Sequence, residues 1–247
     1  MNKIQKINHI KKVAIFFNNL RGFHLSNYLK KKKFIITNII TKKFLNKKIL
    51  KKITKKNYVL INNLESENLE NFLKKQKFDL LISAGFPHLF KKNYLKISKF
   101  GIINLHGGKL PKYRGGSPLN WQIINNEKKI GISVIKLNEK IDEGDIINTK
   151  NFKNIKRNNI YRIHKKVNKL FLNLTFNAIK KLEKNIPLRK QPKSKSYYHQ
   201  RRDSDGLINW NKYPDEIFNF VRALSYPYKG AFTFHKSKKI RITKCKM

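Results

Sequence analysis

The chain has 247 residues, 40% of them hydrophobic, and it carries a formal net charge of +43. This length and apolar content fit one sizeable domain, or a domain with a small appendage, and they exclude a wholly disordered chain. Its lysines are spread over nearly every segment, alongside many asparagines and isoleucines. That distribution favours a general drift in composition toward lysine, asparagine and isoleucine. The alternative is a dedicated polyanion-binding patch, for which nucleic acid would be the partner.

Cysteine and histidine usage narrows the chemistry further. The single cysteine, Cys245, excludes a disulfide or a cysteine metal site within one chain. The seven histidines show no HxH or HxxxH spacing, so no metal site is predicted. The basic N-terminal segment has no apolar signal core, and no run of about 18 apolar residues occurs. We therefore expect a cytoplasmic protein with no membrane association.

Apolar and β-branched runs recur through the first half of the chain and predict six strands, at 13–17, 34–40, 58–61, 78–86, 100–105 and 131–137. Helical spacing of apolar residues predicts helices at 18–32, 64–77 and 159–185. Strands that alternate with helices predict an α/β fold, with a Rossmann-like, mostly parallel sheet and helices on both faces.

The last part of the chain differs in composition. A connector rich in proline and lysine occupies 184–196, and an aromatic-rich segment with one short helix near Pro214–Leu224 follows it. We therefore predict a domain at 1–190 and a small C-terminal module at 191–247. No GxGxxG follows the first strand, and neither a phosphate-loop signature nor Gly-x-Ser-x-Gly occurs, which argues against dehydrogenase, NTPase and serine-hydrolase functions.

Ligands of parallel sheets bind beyond the carboxyl ends of the strands, so the segments that follow the strands are the ones to examine. Asn104 and His106 lie two apart at the end of the fifth predicted strand, and they would therefore project from the same face. Asparagine can donate to a developing oxyanion, and histidine can hold or move a proton near neutral pH. The alternative is a strand cap that satisfies turn amides, and spacing alone leaves both open.

An acidic segment, LNEKIDEGDII at 137–147, follows the sixth predicted strand in a chain with only 14 acidic residues. A carboxylate delivered to the same edge of the sheet could orient His106 and accept a proton from an attacking amine. The alternative is a solvated acidic turn closed by Gly144. The candidate carboxylates are Glu139, Asp142, Glu143 and Asp145.

The segment NLHGGKLPKYRGGSPLNWQIINNE, followed by GISVIKLNEKIDEGDII, resembles the signature of the 10-formyltetrahydrofolate-dependent formyltransferases. That family includes methionyl-tRNA, glycinamide ribonucleotide and nucleotide-sugar formyltransferases, and the resemblance runs from about Asp79 onward. By motif position it implies that Asn104, His106 and Asp142 are catalytic. An amine would attack the formyl carbon while Asn104 and His106 stabilise the oxyanion. Asp142 would orient His106 and help to remove the amine proton.

The resemblance also implies the co-substrate, 10-formyltetrahydrofolate, and no metal. The segment SAGFPHLF at 83–90 corresponds to the region where relatives bind the pterin, and the loop around Asn138–Ile141 lies beside it. The residues that this implies for cofactor binding are Phe86, Pro87, Leu89, Asn138, Glu139 and Ile141.

For the acceptor, LPKYRGGSPLNW is most similar to the nucleotide-sugar enzymes, which implies formylation of a nucleotide-linked aminodeoxy sugar. Only about 50 residues follow the connector, fewer than a barrel of the methionyl-tRNA enzymes would need. A compact methionyl-tRNA formyltransferase, with tRNA as its partner, is the alternative. A non-catalytic polyanion-binding descendant is a third hypothesis. Relatives are often dimers, so the resemblance implies a homodimer.

Several cations and aromatic residues have more than one interpretation. Lys112 and Arg114 are predicted to contact the substrate, since guanidinium pairs well with phosphate oxygens, and incidental surface cations are the alternative. Arg21 and His24 follow the first strand in a pattern without an assigned role. For three aromatic residues, stacking on a base competes with packing in the module core: Tyr197, Tyr198 and Trp210.

Overall fold

The structure, a computed structural model, describes residues 9–42, 58–65, 67–194 and 196–246. Its strands follow the apolar runs of the sequence, since β-branched side chains pack well on a pleated sheet. The strands among these residues are β1 (Lys12–Phe16), β2 (Ile35–Thr41), β3 (Tyr58–Ile61), β4 (Leu80–Ser83), β5 (Ile102–His106), β6 (Lys129–Lys136), β7 (Ile146–Lys153), β8 (Ala231–His235) and β9 (Lys238–Ile242).

The first two helices have favourable caps or end charges. In the first helix, Asn19 accepts a hydrogen bond from the backbone N–H of Arg21 and thereby satisfies one of the orphan donors of the first turn. The second carries glutamates in its first turn and lysines in its last, which suits the helix dipole. None of the described helices could cross a lipid bilayer. They are α1 (Leu20–Lys31), α2 (Glu67–Gln76), α3 (Lys92–Leu95), α4 (Pro118–Ile124), α5 (Ile160–Glu183) and α6 (Pro214–Leu224), with a 3₁₀ turn at Asp203–Gly206.

The main sheet has the strand order β3-β2-β1-β4-β5-β6-β7. The neighbouring strands from β3 to β5 all pair in parallel, while β6 runs antiparallel to β5. The predicted α/β fold with a mostly parallel sheet is therefore confirmed. The sixth predicted strand corresponds to β6, which is antiparallel to β5. Its direction depends on the path of residues 107–128, and no local sequence pattern indicates that path.

Several elements were not predicted, among them β7 and α4. Beyond its first residues, β7 is largely exposed, so its sequence lacks the apolar run or the alternation that marks a strand. Helix α4 has seven residues, about two turns, and is too short for a helical period to stand out.

The core of the sheet explains why the strands read as continuous apolar runs. All four residues of β4 are buried, as expected for a central strand covered on both faces. Phe16, Leu73 and Tyr94 belong to one buried cluster beside the parallel strands. Burial of each large apolar side chain contributes about 1.5–3 kcal/mol.

The residues group into two compact units. The first comprises Met1–His106, Ser133–Thr149 and Leu170–Gln191. The second comprises Gly107–Ile132, Lys150–Lys169 and Pro192–Met247. Within the second, α6 and the antiparallel β8–β9 hairpin surround a small core of Ile208, Val221, Leu224 and Ala231. The predicted domain boundary near residue 190 stays a prediction.

Candidate functional site

Three polar side chains of the first unit converge at the end of β5. The Nδ1 atom of His106 lies 3.4 Å from Oδ1 of Asp142. Nδ2 of Asn104 donates to the same carboxylate oxygen at 3.5 Å. His106 and Asp142 are only 5% and 8% exposed. Asn104 and His106, from one strand, therefore both approach the same carboxylate oxygen of Asp142, from a distant turn. The three predicted residues form a single, partly buried cluster.

Strand pairing fixes the strand that carries this cluster. Asn104 lies opposite Ser83 of β4 on one side and Ile135 of β6 on the other. His106 lies opposite Ser133 of β6. Because β5 is bonded on both edges, its backbone is held rigidly, and the two side chains project from a fixed frame.

Arg21, which had no assigned role, contacts the same strand. Its Nη1 donates to the carbonyl of Leu105 at 3.2 Å, between the two site residues, and its guanidinium lies 4.8 Å from the ring centre of Phe171. Arg21 therefore helps to hold the end of β5 in position. His24, one helical turn further along α1, is exposed.

The turn that carries Asp142 is fixed by contacts made to its backbone. Asp142 itself has a left-handed backbone, with φ of +53°. A Cβ on Gly144 would lie 1.7 Å from the carbonyl oxygen of Lys136, so only glycine fits there. Nε2 of Gln191 donates to the carbonyl oxygens of Asp142 at 2.8 Å and of Gly144 at 2.7 Å. Gln191 was missed because a lone glutamine in a connector carries no pattern.

A small cavity of about 120 Å³ adjoins this cluster in the first unit. Asn104 and Asp142 line it, together with five of the six residues predicted to bind the cofactor: Phe86, Leu89, Asn138, Glu139 and Ile141. Pro87, the sixth, lies in the same loop and is exposed. His88, which was not predicted, also lines the cavity.

The cavity wall combines fixed and exposed apolar groups. The ring of Phe86 packs edge-on against that of the buried Phe16, with centroids 5.3 Å apart. In contrast, Leu89 is 69% exposed and Ile141 is 41% exposed. Exposed apolar side chains beside a polar cluster are typical of a surface that a ligand covers.

Lys112 and Arg114 lie in the second unit, and their surroundings differ. Nζ of the exposed Lys112 lies 2.6 Å from Oε1 of Glu127, and this hydrogen bond raises the pKa of the lysine. Burial tends to raise the pKa of Glu127, but the bonds from Lys112 and Tyr113 outweigh it, so that pKa is lowered. Lys112 thus remains charged and accessible at neutral pH, although it already has a carboxylate partner.

Arg114 is buried, and its Nε donates to the carbonyl of Ser196 at 3.3 Å. Its own carbonyl accepts from the backbone N–H of Tyr198 at 2.9 Å. Tyr198 in turn stacks on Tyr113, with centroids 5.0 Å apart. Tyr197 is largely exposed. The KYRG turn, residues 112–115, therefore packs against the segment around Tyr198 that follows the connector.

Comparisons with known proteins identify the family of the chain. The Formyl transferase family model matches residues 31–179, more than half of the chain. The chain belongs to the formyltransferase family. The model of the formyl transferase C-terminal domain matches residues 201–247 of this formyltransferase chain.

Two relatives give the scale of the likeness. The bifunctional polymyxin resistance protein ArnA of Wigglesworthia glossinidia brevipalpis is 36% identical over 178 residues, 68% of this chain and 26% of that protein. Methionyl-tRNA formyltransferase of Thermodesulfovibrio yellowstonii is 34% identical over 167 residues, 67% of this chain and 54% of that protein. The formyltransferase chain thus spans about a quarter and about half of the lengths of these relatives.

Two solved structures share the fold. A 4-N formyltransferase from Francisella tularensis has a TM-score of 0.75 at 22% identity, covering 97% of this chain and 100% of that one. HypX from Aquifex aeolicus, in complex with tetrahydrofolic acid, has a TM-score of 0.71 at 15% identity, covering 94% of this chain and 37% of that one.

Proposed function

We propose that this formyltransferase moves a formyl group from 10-formyltetrahydrofolate to the amino group of an acceptor. The observation that carries the proposal is the cluster in which Asn104 and His106 both approach one carboxylate oxygen of Asp142. Such a cluster supplies a neutral donor, an imidazole and a proton acceptor within a few ångströms, and acyl transfer to an amine needs all three.

The steps follow from the chemistry of the three groups. The amine nitrogen attacks the formyl carbon, a C–N bond forms, and negative charge develops on the formyl oxygen. Asn104 and His106 donate to that oxygen, because buried and pre-positioned donors stabilise such charge strongly. The bond from the formyl carbon to the folate nitrogen then breaks, its electron pair goes to that nitrogen, and the nitrogen takes up one proton as tetrahydrofolate leaves, which balances the proton that the amine loses. Asp142 holds the imidazole through Nδ1 and accepts the proton that the amine loses.

The small cavity beside the cluster suits the folate. Its apolar groups, Phe86, Leu89 and Ile141, would contact the flat pterin, and the loops that carry them offer backbone groups to its polar edge. Ligand cavities commonly measure about 300–1,000 Å³. The 120 Å³ found here therefore suits the ring end of the molecule rather than its whole length. The Aquifex aeolicus protein in complex with tetrahydrofolic acid, which shares the fold, supports this choice of co-substrate.

We propose a nucleotide-linked aminodeoxy sugar as the acceptor, with Lys112 and Arg114 on its phosphate side. The resemblance of LPKYRGGSPLNW to the nucleotide-sugar enzymes supports this acceptor. Methionyl-tRNA is the second candidate, because a methionyl-tRNA formyltransferase is 34% identical to this chain and the charge of +43 would attract tRNA.

Turnover of 10-formyltetrahydrofolate tests both the proposed reaction and the proposed acceptor. A panel of nucleotide-linked amino sugars and charged initiator tRNA, offered separately, identifies the acceptor class. His106→Ala should abolish turnover without changing the circular dichroism spectrum. His24→Ala, which alters an exposed histidine of the same unit, should leave the rate unchanged. Turnover that survives His106→Ala contradicts the assigned role of this residue.

A further inference from the structure

A larger cavity, of about 1060 Å³, lies wholly within the second unit. It is lined by basic and aromatic side chains, and the described residues that line it include no aspartate or glutamate. Its volume is at the upper end of the range for small-molecule sites. The cations of its lining are Lys156, Arg157, Arg162, Arg222, Lys244 and Lys246.

Arg222 is the most unusual of these cations because it is only 5% exposed. Its guanidinium donates to Oδ1 of Asn219 at 2.8 Å, to the carbonyl of Asn158 at 2.7 Å and to Oδ1 of Asn154 at 3.0 Å. All three acceptors are neutral. Burial lowers the pKa of Arg222 to about 10, so it stays charged at neutral pH.

A buried guanidinium ordinarily has a carboxylate beside it, since removing an unpaired charge from water is costly. Within the described part of the chain, no carboxylate lies within ion-pair distance of Arg222. Its charge therefore stands at the wall of a cavity whose described lining residues include no carboxylate. An anion bound in that cavity would supply the missing partner.

The rest of the lining reinforces this positive potential. Lys156 pairs with Asp215 at 2.8 Å, but the described residues offer no carboxylate partner to Arg157 or Arg162. Asn159, which also lines the cavity, immediately precedes the first residue of α5, and the first turn of this helix contains no acid. The positive end of the helix dipole therefore adds to the charge of the arginines.

Aromatic side chains also line the cavity. Tyr226 lines the cavity and is 66% exposed, with its ring edge-on to that of Tyr161 at a centroid distance of 5.1 Å. Tyr228 and Phe218 line it as well. Cations interleaved with accessible aromatic rings are the combination that binds nucleotides, in which bases stack on rings and phosphates meet guanidinium groups.

We propose that this cavity binds a nucleotide, with its phosphate at the arginines and its base on Tyr226. The shared chemistry could come from a free nucleotide or from an unpaired nucleotide of RNA. This proposal goes beyond formyl transfer and does not depend on it, because every residue involved belongs to the second unit and the test below measures binding rather than turnover.

Cys245 gives a direct test, because it is the only cysteine of the chain and it lines the cavity. We would measure the rate at which a thiol reagent alkylates Cys245, alone and with UDP, with a short oligouridylate or with inorganic diphosphate. Slower alkylation with UDP supports a site for free nucleotides, and slower alkylation with the oligonucleotide alone supports RNA as the source. No protection by either, or equal protection by diphosphate, overturns the proposal.

Matched charge reversals separate a built site from general attraction. Arg157→Glu with Arg162→Glu alters two exposed cations of the cavity and should weaken binding of the protecting ligand roughly tenfold or more. Lys150→Glu with Lys153→Glu changes the net charge equally at exposed positions of β7 and should weaken it far less. Equal losses in the two variants would reduce the binding to non-specific attraction and refute the proposal. Tyr226→Ala should also weaken binding while leaving the circular dichroism spectrum unchanged.

Discussion

Gly144→Ala should disable the site through the backbone that carries Asp142. A Cβ at position 144 would lie 1.7 Å from the carbonyl oxygen of Lys136, whereas real Cβ contacts are essentially never below 3.0 Å. The turn must therefore move by at least the difference, 1.3 Å. It cannot push Lys136 aside easily, because that residue pairs with Ile103 of β5. The displacement thus falls on the turn and on its carboxylate.

A misplacement of about 1 Å can lower a catalysed rate about 100-fold, so we expect kcat to fall by roughly that factor. The loss of stability should be moderate, about 1–3 kcal/mol, as for other overpacked positions. Single-turnover formylation and urea unfolding measure the two effects. Gly206→Ala is the control and should retain full activity, because the added Cβ would lie 3.2 Å from the ring of Phe232 and 3.5 Å from the carbonyl oxygen of Gly230. A rate for Gly144→Ala within threefold of wild type would refute the steric argument.

Further variants test other contacts. Gln191→Leu removes both bonds to the Asp142 turn, and we expect urea unfolding to show a loss of about 1–3 kcal/mol, with kcat reduced more than KM. Asn19→Ala removes the cap of α1 and should cost about 1 kcal/mol in the same assay. The bond from Arg241 holds the pKa of the exposed Asp203 at about 2. The ion pair therefore stabilises the module above about pH 4. The melting temperatures of wild type and Asp203→Asn should differ above about pH 4, and this difference should shrink as the pH falls through about 2.

Local patterns predicted the elements that bury a full face. β4 was recognisable as an apolar run because it is a central strand, and α6 begins with a proline and carries acidic residues in its first turn. The positions of Asn104 and His106 were predictable for the same reason, whereas the choice of Asp142 among four carboxylates came from the family resemblance. Asn104 and His106 belong to a strand whose end could be located, and alternation then placed both side chains on one face.

What could not be predicted depends on contacts between distant segments. The bonds of Gln191 to the Asp142 turn span almost 50 residues, and nothing near Gln191 in the sequence indicates them. The antiparallel direction of β6 is likewise a property of the chain path. Arg21 could be noticed beside the first strand, but its bond to the carbonyl of Leu105 follows only from the order of strands in the sheet.

Net charge is another property whose meaning the sequence alone does not reveal. A count of +43 spread along the whole sequence favours drift, because exposed lysines contribute little singly and do not define a surface. Burial changes the significance of one cation among many. The guanidinium of Arg222 is buried at the cavity wall with neutral hydrogen-bond partners, and the described residues that line the cavity include no acid. Drift in surface composition does not account for that arrangement, since the cost of a buried charge falls on this position alone. A basic composition and a specific anion site can therefore coexist in one chain, and only the fold distinguishes them.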